Sequence, residues 1–173
     1  MRHEIRICGF GGQGIILAGV ILGEAAARSG YQAVQTQSYG PESRGGAARS
    51  EVVVSDAPID YPRVTRADVI VALSQPAYDR YAGELTDGGF VVVDSAGVEA
   101  EGAIVMPFTK TAEAAGHKIV TNIVMLGYLG ARLDFLDPDV LEATVLANVP
   151  AGTEDINRRA LKAGRDLAAE KVA

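Results

Sequence analysis

The chain has 173 residues, of which 48% are apolar and 22% charged, with 20 glycines and a formal net charge of −6. This length and composition suit one globular domain with a sizeable core and exclude a disordered chain. The acidity argues against nucleic acid and against a membrane surface as partners, and a single cysteine, Cys8, excludes disulfides, Cys-ligated zinc and an iron–sulfur cluster held by this chain alone.

Met1-Arg2-His3-Glu4 runs straight into a strand-like segment, without the apolar stretch and cleavage site of a secretory signal. The longest apolar run, Ile15 to Gly23, is far too short to span a bilayer. A reducing, cytoplasmic location is expected.

In chain order, Glu4 to Cys8 predicts a short strand. Gly9-Phe10-Gly11-Gly12-Gln13-Gly14 follows, then a helix from Ile15 to Ser29 that stops at Gly30. Tyr31 to Ser38 is a second strand, expected parallel to the first, so the chain has a Rossmann-like start. Tyr39 to Gly46 is a loop rich in Gly, Pro and Ser, and Ala48 to Ser55 a strand. Asp56 to Tyr61 is a turn, and Asp68 to Leu73 a near-continuous apolar strand, as when both faces are covered. Pro76 to Leu85 predicts a helix with proline in its first turn. Asp87-Gly88-Gly89 is a turn before the buried strand Phe90 to Asp94, and Ala103 to Met106 is a last strand.

The remainder is helical: Thr109 to Ala115 ending at Gly116, Val120 to Leu133, a helix starting at Asp137-Pro138, and Glu154 to Lys171 capped by Thr153 with Glu154 and Arg158 spaced to pair. The link from Ser55 to Asp68 is too short for a crossover helix and predicts an antiparallel pairing. The expected fold class is therefore α/β: a single three-layer domain over 1–173, its sheet mostly parallel with at least one antiparallel strand. Ile15–Ser29 and Val120–Leu133 lack a clear polar face, which favours burial at a subunit interface over a central helix in a monomer.

Gly9, Gly11 and Gly14 fit G-x-G-x-x-G between a strand and a helix. Unpaired amides and the dipole at a helix start attract phosphate or carboxylate, provided no side chain blocks the approach. Gln13 could add an amide donor. A tight turn that binds nothing is an equal alternative on the motif alone. A dinucleotide site also wants an acidic residue at the end of the second strand. That position reads Gln35-Thr36-Gln37-Ser38, which disfavours NAD, and Arg44 leaves NADP only a weak option.

The second loop should stand beside the first, since ligands of open α/β sheets bind beyond the carboxyl ends of the strands. It offers Ser38, Tyr39, Glu42, Ser43 and Arg44, whose guanidinium suits bidentate phosphate or carboxylate contact. Read alone, Glu42 and Arg44 are better explained as a solvated surface pair.

Together, Gly9-Phe10-Gly11-Gly12-Gln13-Gly14 and Gln37-Ser38-Tyr39-Gly40-Pro41-Glu42-Ser43-Arg44-Gly45-Gly46 closely resemble the gamma subunit of 2-oxoacid:ferredoxin oxidoreductases. Thr121-Asn122-Ile123-Val124-Met125-Leu126-Gly127 resembles a later helix of that family, as do Asn157 and Ala160 to Gly164. The resemblance covers nearly the whole chain, with 2-oxoglutarate enzymes favoured. It implies an assembly that converts a 2-oxoacid and coenzyme A to acyl-coenzyme A and CO2 and passes electrons to ferredoxin. Thiamine diphosphate and iron–sulfur clusters would sit on partner alpha, beta and ferredoxin-like delta subunits. This chain would be noncatalytic alone, able to form a homodimer when isolated, and would shape the coenzyme A side of the site. The implied contacts are Gly9, Gly11, Gly12, Gln13, Gly14, Ser38, Tyr39, Glu42, Ser43, Arg44 and Asn122. A stand-alone NADP reductase and a nucleotide-binding sensor are the alternatives.

Other residues have plainer readings. His3 and His117 read as surface histidines, Cys8 as a small buried filler, Tyr78 and Tyr81 as packing residues. Asp94-Ser95 reads as a turn at least as readily as a ligand contact.

Overall fold

The computed structural model describes residues 1–38, 41 and 45–170. Among them is a six-stranded sheet formed by β1 (Arg2–Gly9), β2 (Gln32–Gln37), β3 (Ala48–Ser55), β4 (Ala67–Ala72), β5 (Leu85–Asp94) and β6 (Ile104–Met106), in the order β2-β3-β1-β4-β5-β6. The helices are α1 (Ile15–Arg28), α2 (Gln75–Tyr81), α3 (Phe108–Ala115), α4 (Thr121–Gly130), α5 (Pro138–Asn148) and α6 (Glu154–Glu170).

Strand alternation builds two cores. Ile5, Ile7, Val52, Val54, Val69 and Val71 face α1 and the C-terminal helices. Cys8, Val53, Ile70, Ala72, Val91 and Val93 face the α2 side. Successive side chains of a strand point to opposite faces, so these apolar runs are buried twice, and the expected three layers are present.

The antiparallel element is β3. It pairs antiparallel with both β1 and β2, while β1–β4, β4–β5 and β5–β6 are parallel. The antiparallel element expected from the short Ser55–Asp68 link is present, and β3 runs opposite to β4. The two strands flank β1 from opposite sides, so that link crosses an end of the sheet without joining neighbours. The Rossmann-like start is present as β1, the glycine turn, α1 and β2, with β2 running in the direction of β1 and β3 inserted between them.

Asp87-Gly88-Gly89 is not a turn before a strand. It lies within β5 as a bulge, where pairing slips from Ala67–Leu85 to Val69–Phe90. Gly88 has φ +84, and a Cβ on Gly89 would stand 2.7 Å from the Asp68 carbonyl. Glycines therefore let β5 approach β4 closely there.

Of the two helices without a polar face, α4 is covered within the chain. Asn122 to Leu129 of α4 are all buried, wrapped by α1, α3, α5 and α6. For α4 this favours the central-helix reading over a subunit interface, whereas α1 leaves Val20 exposed and Ile16 and Leu17 half-buried. Small residues make the packing possible: a Cβ on Gly127 would strike the Leu161 carbonyl, and one on Gly164 the Val124 carbonyl. Likewise Gly19 lets α1 settle on Ser50 of β3.

Asp137 caps α5 as expected, accepting from the amides of Asp139 (2.8 Å) and Val140 (3.1 Å). At α6 the Thr153 hydroxyl instead donates to the Pro150 carbonyl at 2.6 Å and accepts from Asn157, and Arg158 pairs with Glu142 and Asp155. No helix among the described residues is long and apolar enough to cross a membrane.

Candidate functional site

A cleft of about 530 Å³ opens beyond the carboxyl ends of the parallel strands β1, β4 and β5, the edge where ligands of such sheets bind. Each strand contributes its following residues: Phe10, Gly12 and Gln13 after β1, Leu73 after β4, and Asp94, Ala96 and Gly97 at the end of β5. The far wall is Thr109 of α3 and the turn from His117 to Thr121 that leads into α4.

The first loop is built by its glycines. Gly12 (φ +88) and Gly14 (φ +72) occupy left-handed backbone that other residues rarely adopt. Gly11 and Gly12 are exposed, and a Cβ on either would meet nothing within 4 Å. Their backbone faces open space beside the start of α1, which has no side-chain cap. The first amides of a helix have no partner within it, so this end of the cleft can accept an anion.

Gln13 lines the cleft, but its carboxamide is engaged at both ends. Oε1 accepts from the Phe10 amide at 2.6 Å, and Nε2 donates to the Leu73 carbonyl at 3.0 Å. The side chain braces the loop as well as lining the cleft, and its Nε2 carries a second N–H beyond the one given to Leu73. Gly9 is buried at the end of β1, under that same carboxamide. Asn122 is buried and donates to the Gly14 carbonyl at 3.3 Å. It joins the starts of α1 and α4 and is not among the residues lining the cleft.

The second loop falls partly outside the described residues: Tyr39, Glu42, Ser43 and Arg44 are among those not described. Its two ends are described. At the entrance the Ser38 amide donates to the Arg49 carbonyl at 3.0 Å, and the Ser38 hydroxyl accepts from the Arg49 amide at 3.2 Å. At the exit Gly46 (φ +84) lies against Phe10, and a Cβ there would overlap the Phe10 ring. The exit of the second loop thus meets the first loop although β2 and β1 are not neighbours, because the chain returns along β3.

Three residues were not legible as site residues. His117, read as a surface histidine, lines the cleft, its Nδ1 accepting from the Ile119 amide at 3.0 Å. Lys118 brings a cation to the same wall, and Ile119 stands 74% exposed at the rim. The only signal in the sequence was their position between a helix-ending glycine and an apolar helix. Asp94 is both turn and wall: it accepts from the Thr109 amide and Ala96 amide at 3.3 Å and from the Thr109 hydroxyl, fixing the start of α3. Its carboxylate suits a helix N-terminus.

Cys8 is a buried filler as expected. Burial pushes its thiol up to about 12, against the pull of Arg6 and Arg49, so it is no nucleophile. Among the described residues no group of three His, Cys, Asp or Glu could hold a metal ion.

The sequence profile of pyruvate ferredoxin/flavodoxin oxidoreductase matches residues 4–167. 2-Oxoglutarate synthase subunit KorC of Methanocaldococcus jannaschii is 51% identical over 98% of this chain and 96% of its own length. The KorC subunit of Methanothermobacter thermautotrophicus is 47% identical over 98% and 97%. Among solved structures, the keto/oxoacid ferredoxin oxidoreductase gamma subunit of Geobacter sulfurreducens superposes with a TM-score of 0.88 at 42% identity, covering 98% of both chains. A 2-oxoglutarate:ferredoxin oxidoreductase of Magnetococcus marinus, bound to 2-oxoglutarate, coenzyme A and succinyl-CoA, shares the fold (TM-score 0.85, 24% identity, 98% of this chain and 31% of that one). These relatives give no support to a stand-alone NADP reductase or a nucleotide sensor. Fold, profile and relatives agree: the chain belongs to the pyruvate ferredoxin/flavodoxin oxidoreductase family.

Proposed function

We propose that this chain, as one domain over 1–173, is the gamma-type subunit of a cytoplasmic 2-oxoacid:ferredoxin oxidoreductase acting on 2-oxoglutarate, and that its cleft takes coenzyme A. The observation that carries the proposal is the cleft itself. It joins open glycine backbone at a helix start to a wall holding Lys118, with Phe10, Leu73 and Ile119 as apolar surface. A long ligand with separated phosphates and an apolar arm matches that mixture of anion seats and apolar contact. The preference for 2-oxoglutarate rests on the KorC relatives, two of which are 47% and 51% identical.

In this reading thiamine diphosphate and the iron–sulfur clusters sit on alpha, beta and ferredoxin-like delta partners. The 2-oxoacid is decarboxylated there, the acyl group passes to the coenzyme A thiol, and the electrons leave to ferredoxin. This chain holds and orients the coenzyme. Arg44, with Ser38, Tyr39, Glu42 and Ser43, is proposed to complete the anion seat from the second loop, whose exit meets Phe10.

Steady-state kinetics of the assembled oxidoreductase test the reading. Lys118→Glu is expected to raise KM for coenzyme A about tenfold, as for loss of one charged contact, while KM for the 2-oxoacid stays put. Arg44→Ala should weaken coenzyme A use more than it weakens assembly. An unchanged coenzyme A KM in the Lys118→Glu enzyme overturns the assignment of the cleft.

A further inference from the structure

The turn between β4 and α2 is a post to which both loops are tied. Its first residue, Leu73, offers a carbonyl to Gln13 at 3.0 Å, and the same Gln13 side chain holds the Phe10 amide at 2.6 Å. Its second residue, Ser74, is 1% exposed and donates its hydroxyl to the Gly46 carbonyl at 2.5 Å. That hydroxyl also accepts from the Ala77 amide at 3.3 Å, capping α2. One residue beyond Gly46, the Ala47 carbonyl accepts from the buried Tyr81 hydroxyl at 3.1 Å.

Tyr81 is itself fixed. The Arg6 guanidinium lies 5.0 Å from its ring centre and that of Arg49 5.4 Å. Arg6 is held in turn by Glu51 at 2.8 Å and Glu84 at 2.6 Å. Gly46 leaves no room for a side chain because the Phe10 ring occupies that space, and Phe10 lines the cleft.

We propose that Ser74 and Tyr81, which do not line the cleft themselves, are positioning residues for it: by pinning Gly46 and Ala47 they fix the backing of Phe10, and so the relative placement of the two loops. The consequence for coenzyme A rests on the function proposed above. The consequence for the loops does not.

The test uses the oxidoreductase assembled with its partner subunits, carrying Tyr81→Phe, Ser74→Ala or Ser74→Thr. Tyr81→Phe removes one hydroxyl and keeps the ring and the α2 cap, so it is the variant least exposed to misfolding. Loss of one buried hydrogen bond should raise KM for coenzyme A about fivefold in Tyr81→Phe and Ser74→Ala, with kcat within about twofold of the parent. Ser74→Thr, which keeps the donor, should return KM toward the parent value. Amide hydrogen exchange should quicken in both segments, 9–14 and 45–47, of Tyr81→Phe and Ser74→Ala.

Faster exchange confined to 45–47, with normal exchange at 9–14 and a normal coenzyme A KM, overturns the proposal. If Lys118→Glu raises that KM while Tyr81→Phe and Ser74→Ala leave it alone, the positioning role fails and the coenzyme A reading stands. If Lys118→Glu leaves it alone, the coenzyme A reading fails, and joint or separate quickening of the two segments alone upholds or overturns the positioning role.

Discussion

The side-chain amide of Asn122 donates to the backbone carbonyl of Gly14 at 3.3 Å, joining the starts of two helices 108 residues apart. Gly14 has φ +72, and a Cβ there would overlap the Asn122 carboxamide. Asn122→Ala removes one of two hydrogen bonds to that carbonyl, which keeps the Ala18 amide at 2.9 Å, and is expected to lower stability by about 0.5–1.5 kcal/mol. Gly14→Ala adds left-handed strain of roughly 1 kcal/mol to that clash and should cost more. Urea unfolding of the two variants checks the order; a Gly14→Ala protein as stable as the parent contradicts it.

Helix propensity and packing oppose each other at Gly127. Alanine in place of an interior helix glycine gains about 1 kcal/mol where nothing interferes. Here the new methyl would strike the Leu161 carbonyl of α6, and overpacking costs about 1–3 kcal/mol. Gly127→Ala is therefore expected to lower the melting temperature. Gly83→Ala, whose Cβ would meet nothing within 4 Å, should raise it slightly or leave it unchanged. The reverse order would show that α4 and α6 do not cross this closely.

How far the sequence carried this fold depends on the range of the signal. Strands with continuous apolar runs, such as Asp68 to Leu73, were legible because both faces are buried. The insertion of β3 between β1 and β2 was not, since pairing order is a long-range property that a short local link does not encode. The β5 bulge was read as a turn because Asp-Gly-Gly signals positive φ without saying whether the chain reverses. At the site, the glycine loop showed in its spacing. The bracing roles of Gln13 and Asn122 did not, because their partners, Leu73 and Gly14, are distant in sequence. His117 and Lys118 reach the cleft in the turn that follows the end of α3 at Gly116 (φ +143).

Arg6 lies between β1 and α2 at 1% exposure, and its two carboxylates differ in surroundings. The Glu51 side chain is 7% exposed and the Glu84 side chain 43%. Removing the buried partner of an ion pair costs about 3–5 kcal/mol, whereas exposed pairs contribute about 0–1 kcal/mol. Glu51→Ala should therefore destabilise far more than Glu84→Ala in denaturant unfolding, with Glu84 retaining part of the compensation. Equal losses would mean that Arg6 does not depend on Glu51.

Burial raises the Cys8 thiol from 9.0 to about 12 in the fold. The unfolded chain loses this proton at lower pH than the folded chain. The contribution is therefore intact below about pH 9 and declines as pH rises toward 12, by at most about 1.4 kcal/mol per pH unit. Cys8→Ala should remove that part of the alkaline loss in unfolding titrations. At about pH 8 a thiol reagent should label Cys8 only in denaturant. Rapid labelling of the native protein contradicts the burial.

The central claim is that coenzyme A lies between the first glycine loop and the His117–Thr121 turn. Photo-crosslinking with a coenzyme A analogue in the assembled oxidoreductase, followed by peptide mapping, tests it most directly. Label is expected on this chain in segments 9–17 and 117–121, competed by unmodified coenzyme A. Competed label confined to partner chains, or to other faces of this one, would contradict the account.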